Sequence, residues 1–344
     1  MNSLERVMNT LAGRPTDRTP VFAVLSAYGG KLTHTDLRTL YTDAKAYVNA
    51  QQVVQQTFGF DLVLSPFDYC AISEAFGGEI AFFEDQPPNM KRPATTSAAK
   101  VLSLSLPDPR KTGRLPTILE ATRQLSTIYE GRVPLFAAVP GCCIFPSLIM
   151  GLETWIDTVL FDESMADKIL EHTADFFVDW ANALVEVGVN ALIVPEGMAT
   201  AEIMPRSLFA ERFLPHLHRT LARVDCPVIF HHTGGRIGHV LDLLPGLPRL
   251  AGVVIGPKED LNEARRLLGP ELTLAGNIDN MELPALSEEE VRRKCMECLC
   301  SEAANDHYIL SNSGPDIPLN TPLENLHAMM AASCEYAEGA KVAL

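Results

Sequence analysis

No run of about eighteen apolar residues occurs in the 344-residue chain, so no stretch reads as a membrane-spanning helix. The opening Met1-Asn2-Ser3-Leu4-Glu5-Arg6 reads as a polar-faced helix and lacks the apolar core of a signal peptide. Positive charge is also scarce. Lys and Arg number 28 against 43 Asp and Glu, a formal charge of -15, which leaves no basic surface for a phosphate backbone and excludes nucleic acid as an expected partner. Eight cysteines are too few and too scattered for a disulfide scaffold, which points to a reducing compartment and a cytoplasmic protein. Cys295, Cys298 and Cys300 cluster on a helical stretch with no nearby histidine, and read as ordinary helix cysteines. No Gly-x-Gly-x-x-Gly follows the first strand, which counts against a dinucleotide fold. No segment rich in Gly, Ser or Pro separates two halves, so residues 1–344 are expected to form one domain.

What is present is a hydrophobic content of 47%, enough for a sizeable core, and a regular alternation. Short apolar runs at 21–24, 61–64, 134–139, 190–195, 227–231, 252–255, 272–275 and 308–311 read as strands. Helical patterns at 2–12, 42–58, 115–129, 206–224, 260–268 and 287–300 fall between them, and Thr321-Pro322 starts a last helix. Eight runs joined by crossover helices predict an α/β fold, a TIM (β/α)8 barrel, with an open doubly wound sheet as the alternative. Residues 69–113 break the rhythm with Gly77-Gly78, Pro87-Pro88 and Pro93 and are expected to be an insertion after the second strand.

The chemistry concentrates in residues 190–234. Glu196 ends the fourth strand, His231 and His232 end the fifth, and Glu211 lies on the helix between. Two carboxylates and an imidazole suffice for a zinc that keeps one position open. The bland reading of the same residues is a strand-end cap, a solvated helix Glu and a core His. His231, Asn277, Asp279 and Tyr28 are candidate substrate contacts, each with an alternative in packing or turn chemistry. Tyr28, Phe67 and Tyr69 could line an aromatic pocket. Cys142-Cys143 follow Pro140-Gly141 without an evident activating base.

Leu274-Ala275-Gly276-Asn277-Ile278-Asp279 and Thr321-Pro322-Leu323-Glu324-Asn325-Leu326 resemble motifs of the uroporphyrinogen decarboxylase superfamily. True decarboxylases carry Arg-Gln-Ala-Gly-Arg after the first strand, and Val24-Leu25-Ser26-Ala27-Tyr28-Gly29-Gly30 stands there instead. The methylcobamide:coenzyme M methyltransferases bind zinc through His-x-Cys after strand five and a Cys after strand eight. Here His231-His232-Thr233 and Ser313-Gly314-Pro315-Asp316 lack both thiolates. The third branch, the corrinoid-dependent O-demethylases of phenyl methyl ethers, has Glu, fourteen residues, Glu, twenty residues, His, a pattern that Glu196, Glu211 and His232 match.

That resemblance implies zinc on Glu196, Glu211 and His232 as metal ligands and catalytic residues. It also implies a methoxylated aromatic substrate and a corrinoid (cobalamin) carried by a partner protein. Harder oxygen and nitrogen ligands suit an ether oxygen, whereas thiolates suit a thiol substrate. The alternatives are a coenzyme M-type thiol methyltransferase, a decarboxylase-like protein, and a metal-free corrinoid-binding module. The Asp-x-His-x-x-Gly signature of a base-off cobalamin domain is absent from this chain. A homodimer is compatible with the sequence.

Overall fold

The computed structural model describes residues 1–343. Barrel strands β1 (Val21–Phe22) and β2 (Val63–Leu64) come first, and the hairpin strands β3 (Glu79–Ala81) and β4 (Asn89–Arg92) follow them. The remaining barrel strands are β5 (Leu135–Ala138), β6 (Ala191–Pro195), β7 (Val228–His231), β8 (Leu250–Val254), β9 (Thr273–Ile278) and β10 (Tyr308–Asn312). The eight barrel strands form one curled parallel sheet in the order β1-β10-β9-β8-β7-β6-β5-β2, the TIM-barrel architecture expected from the eight apolar runs. The antiparallel β3-β4 hairpin is the insertion after the second barrel strand. Two helices that the apolar pattern does not mark, Ser26–Thr33 and Leu37–Thr42, follow β1.

The two edges of the curled sheet meet at Asp61. Its backbone N–H donates to the Val21 carbonyl at 2.8 Å, and its carboxylate accepts the Val21 N–H, also at 2.8 Å. The same carboxylate takes Arg6 at 2.7 Å and Arg18 at 2.6 Å, so the opening helix Ser3–Leu11 is clasped to this seam. Asp61 is fully buried, and two guanidiniums, the Val21 amide and the Ser3 hydroxyl surround its carboxylate.

Strand alternation sorts the core into two clusters. Ala191 and Ile193 of β6, Ile229 of β7, Val254 of β8 and Ile309 of β10 face the barrel axis. Leu192, Val194, Val228, Phe230 and Leu310 face outward, into the larger cluster shared with the helices.

The helical stretch expected at 206–224 is broken into Arg206–Leu208, a π-helical turn Phe209–Phe213, and Leu214–Leu221. Pro215 has no N–H, so the Glu211 carbonyl loses its usual donor. The chain shifts register there, with the Leu214 N–H donating to the Phe209 carbonyl. Among the described residues no helix is long and apolar enough to cross a membrane.

Replacing Asp61 by Ala should destabilise the protein by about 3–5 kcal/mol, because buried Arg18 loses its anion and buried Arg6 keeps only Asp17. Chemical denaturation of wild type and Asp61→Ala measures this, and a loss below about 1 kcal/mol would contradict the role given to the seam.

Candidate functional site

The barrel axis holds a cavity of about 280 Å³. Phe22, Leu64, Phe136, Ile193 and Ile229 form its apolar wall, Phe67 and Tyr69 join them from the insertion side, and His231, Thr233, Ser311 and Asn312 bring the polar atoms. Small inward residues such as Ala138 and Ala275 leave room where other TIM barrels are filled by branched side chains. None of the described residues lining the cavity is a lysine or arginine.

Alternation decides which strand-end groups see this space. Ile229 and His231 share the inward face of β7, so His231 lines the cavity while His232 falls on the opposite parity, fully buried. The two rings stack with centroids 4.8 Å apart and planes 10° off parallel. The Thr233 N–H donates to His231 Nδ1 at 2.9 Å, which puts the ring proton on Nε2. Burial and the neighbouring His232 push the His231 pKa down to about 3, so the ring is a neutral donor at physiological pH. Thr233, at φ 61°, occupies the left-handed region that a β-branched residue rarely enters, and in this conformation its N–H meets His231.

His232 is satisfied by backbone on both sides. Its Nε2 lies 3.0 Å from the Ser313 carbonyl, and its Nδ1 lies 3.1 Å from the Gly235 carbonyl and 3.0 Å from the Gly234 N–H. Burial keeps it neutral.

Glu196 likewise follows Pro195 on the outward parity and is fully buried. Its carboxylate caps the following 3-10 turn by accepting the Met198 N–H at 3.1 Å, and it accepts the Cys143 N–H at 2.9 Å. Gly141 is required beside it, since a Cβ there would lie 2.3 Å from Glu196 Oε2. Burial, reinforced by Cys142, pushes the Glu196 carboxyl up to about 8, and burial also pushes the Cys143 thiol up.

Glu211 is exposed on the π-helical turn. The structure therefore places Glu196 and His232 at neighbouring strand ends behind the cavity wall and Glu211 on the surface, and does not gather the three as a ligand set. The group of metal-ligating side chains that it does gather, among the described residues, is Cys142, Cys143 and Glu196, with ligand atoms all within 4.8 Å of one another. As the side chains stand, an open catalytic zinc does not fit Glu196, Glu211 and His232, since both ring nitrogens of His232 are engaged by backbone and Glu211 is exposed.

The other substrate candidates divide in the same way. Tyr28 is fully buried and donates from its hydroxyl to the Thr321 carbonyl at 2.7 Å. Asn277 donates to the Gly256 and Glu259 carbonyls, holding the loop after β8, and Asp279 accepts the Met281 N–H in a turn. None of these three lines the cavity. Cys142 and Cys143, which have no evident base in the sequence, meet Glu196 through folding alone, and His216 lies near Cys142. Cys295 and Cys298 are buried and Cys300 is exposed, the ordinary helix cysteines expected. Ser311 and Asn312 were not singled out. Their signal, a polar pair at the end of an apolar strand, is shared by many strand ends.

A family model described as uroporphyrinogen decarboxylase (URO-D) matches residues 2–336. A methylated-thiol–coenzyme M methyltransferase of Methanosarcina mazei is 24% identical over 298 residues, covering 85% of this chain and 77% of that protein. A methylcobamide:CoM methyltransferase of Methanosarcina barkeri is 22% identical, covering 96% of this chain and 97% of its own. The solved structure of a methyltransferase from Methanosarcina mazei superposes with a TM-score of 0.88 over 98% of this chain and 99% of that one, at 19% identity, a likeness of fold. The phenyl ether branch expected from the spacing of Glu196, Glu211 and His232 is not represented by these relatives, whose names specify thiol chemistry.

At the mouth, Asp316 follows β10 and accepts the Ala27 N–H at 3.0 Å, joining the ends of the neighbouring strands β10 and β1. Burial pushes its carboxyl up to about 7, against backbone hydrogen bonds that lower it. The fold thus favours the protonated form. This contribution is fully present below about pH 3.8 and is lost as pH rises through about 7. Asp316→Asn should flatten the fall in stability across that window. Melting temperatures of both proteins between pH 4 and 8 read this directly, and parallel curves would refute it.

Proposed function

Because the chain belongs to the uroporphyrinogen decarboxylase family, we propose that it performs methyl transfer of the kind named for its relatives, between a small neutral substrate in the barrel cavity and a corrinoid carried by a separate protein. The observation that carries this reading is the cavity itself. Its wall is apolar, and none of its described lining residues is a lysine or arginine that could neutralise the carboxylates of a tetrapyrrole. About 280 Å³ exceeds the roughly 150 Å³ cavity that holds benzene, room for a small methylated molecule.

A methyl group borne on sulfur is the first choice, because the relatives described above act on a methylated thiol or on coenzyme M. A methoxylated aromatic is the second reading, favoured by Phe22, Phe67, Tyr69 and Phe136, which offer ring faces and edges to an aromatic substrate. In either case the bond from the heteroatom to the methyl carbon breaks with its electron pair left on sulfur or oxygen. The corrinoid supplies the cobalt(I) that accepts the methyl group.

This chain's contribution is binding, exclusion of water and one donor. The apolar wall desolvates the substrate, and His231 Nε2–H, held in that tautomer by the Thr233 N–H, donates to the heteroatom as negative charge builds on it. No step is derived through a metal.

The test supplies free cob(I)alamin as methyl acceptor with a methyl thioether, a methoxybenzene, or neither, and follows the spectral change to methylcobalamin. Methyl transfer is expected, with His231→Ala slower by about 10²-fold in kcat, the scale for losing one preorganised donor. Transfer from the thioether supports the first reading and transfer from the ether the second. Decarboxylation of uroporphyrinogen, with no transfer from either methyl donor, would overturn both.

A further inference from the structure

Most polar side chains that line the barrel cavity are already engaged. Asn312 accepts the Val24 N–H through Oδ1 at 2.9 Å and donates from Nδ2 to the Gly314 carbonyl at 3.1 Å. The Thr273 hydroxyl donates to the Thr10 carbonyl and the Thr233 hydroxyl to the His231 carbonyl, each at 3.3 Å. Tyr69 stands at the mouth, 39% exposed. Ser311 differs from all of these. It is only 3% exposed, it shares the inward face of β10 with Ile309, and its hydroxyl meets no donor or acceptor of the protein among the described residues. Other buried serines are satisfied by backbone, Ser313 donating to the Ile278 carbonyl at 3.3 Å and Ser333 to the Thr19 carbonyl at 2.6 Å. A buried hydroxyl aimed into an apolar cavity lacks a polar atom on whatever fills that cavity.

The register of the sheet fixes where that atom stands relative to His231. Paired residues run from His231 to Val254, Ala275 and Ile309. Closing an eight-stranded barrel staggers each strand by about one residue against its neighbour, which brings Asn312 level with His231 and makes Ser311 the inward side chain nearest that level. Strands β7 and β10 are three apart, roughly 14 Å at most between backbones, and both side chains reach inward across the gap. The span left between them suits one ring or a short chain.

We propose that Ser311 sets substrate specificity by hydrogen bonding a neutral hydroxyl on the substrate, at the end away from the methylated heteroatom that meets His231. The inference rests on the methyl-transfer reading for the near end of the substrate and on the cavity alone for the far end. A serine hydroxyl both donates and accepts, so a hydroxyl partner satisfies it in either sense. A carboxylate or an ammonium would enter this cavity without a counter-charge. The substrate class is thus a small methyl thioether or methyl ether that carries a free hydroxyl across from the methyl-bearing atom.

Titration calorimetry on the full chain, without corrinoid, compares ligands that differ only in a hydroxyl replaced by methyl: 2-(methylthio)ethanol against methyl propyl sulfide, and 4-methoxyphenol against 4-methylanisole. The sulfur pair and the oxygen pair separate the two readings of the near end. For the pair that binds, the ratio of the methyl analogue's Kd to that of the hydroxyl ligand should fall about five- to tenfold in Ser311→Ala, the scale of one hydrogen bond. Ser311→Thr, which keeps a hydroxyl on the same Cβ, should restore the ratio. His231→Ala should weaken both members and leave the ratio unmoved. A ratio unchanged in Ser311→Ala, a ratio that falls on changing His231 instead, or no saturable binding of either hydroxyl ligand would each overturn the proposal. Because binding is read without turnover, a chain that selects the hydroxyl yet moves no methyl group would overturn the assignment of function and leave the role of Ser311 standing. Methyl transfer with an unmoved ratio would do the reverse.

Discussion

The two-residue alternation of the barrel strands is the constraint on which the rest of this structure depends. Each strand shows one face to the axis and the other to the helices, and a side chain's chemistry matters only on the face it occupies. On β7 this puts His231 in the cavity and His232 behind it, and on β6 it puts Pro195 in and Glu196 out. The cavity is neutral and apolar for that reason, although ionisable groups lie one residue away. Its one strongly oriented donor is a histidine whose proton position is dictated by a backbone N–H two residues on.

The fold was legible because a buried parallel strand and an amphipathic helix each write their period into the sequence. All eight barrel strands fall within the apolar runs or a few residues of them, and the helices Leu115–Tyr129 and Leu261–Leu268 begin and end close to their patterns. The helices Ser26–Thr33 and Leu37–Thr42 escaped because they are short, and the first contains Gly29-Gly30. The site was less legible. A spacing of fourteen and twenty residues between Glu196, Glu211 and His232 is a property of the chain, whereas direction comes from strand parity and from the register shift before Pro215. Neither is visible in residue types alone. Tyr28, an aromatic-pocket candidate, and Asn277, a strand-end polar group, are each committed to a backbone carbonyl of a distant loop. Such pairings follow no period.

The wall between the cavity and the cysteine group is one residue thick, and its composition suits that place. Pro140 and Pro195 present apolar rings to the cavity and carry no N–H that would need a partner. The intervening Gly141 N–H donates to the Pro195 carbonyl at 2.7 Å, and Trp155 donates to the Cys143 carbonyl at 2.9 Å, so the loop behind the wall is tied on both sides. Polar groups there are satisfied internally, and an apolar substrate meets few competing polar contacts.

The seam at Asp61 has a further consequence for how the chain reaches this state. β1 must pair with β10, almost at the other end of the sequence, and it must also meet Asp61, only forty residues on. During synthesis the nearer contact becomes available early and the farther one last, so Val21 and Phe22 wait as an open strand edge until residues 308–312 emerge. Arg6, Arg18 and Asp61 lie close enough in sequence to associate before then. Their charges keep the waiting edge tethered and hydrated, an unattractive template for pairing with another chain. The clasp that closes the finished barrel thus serves first as a guard on its unfinished edge.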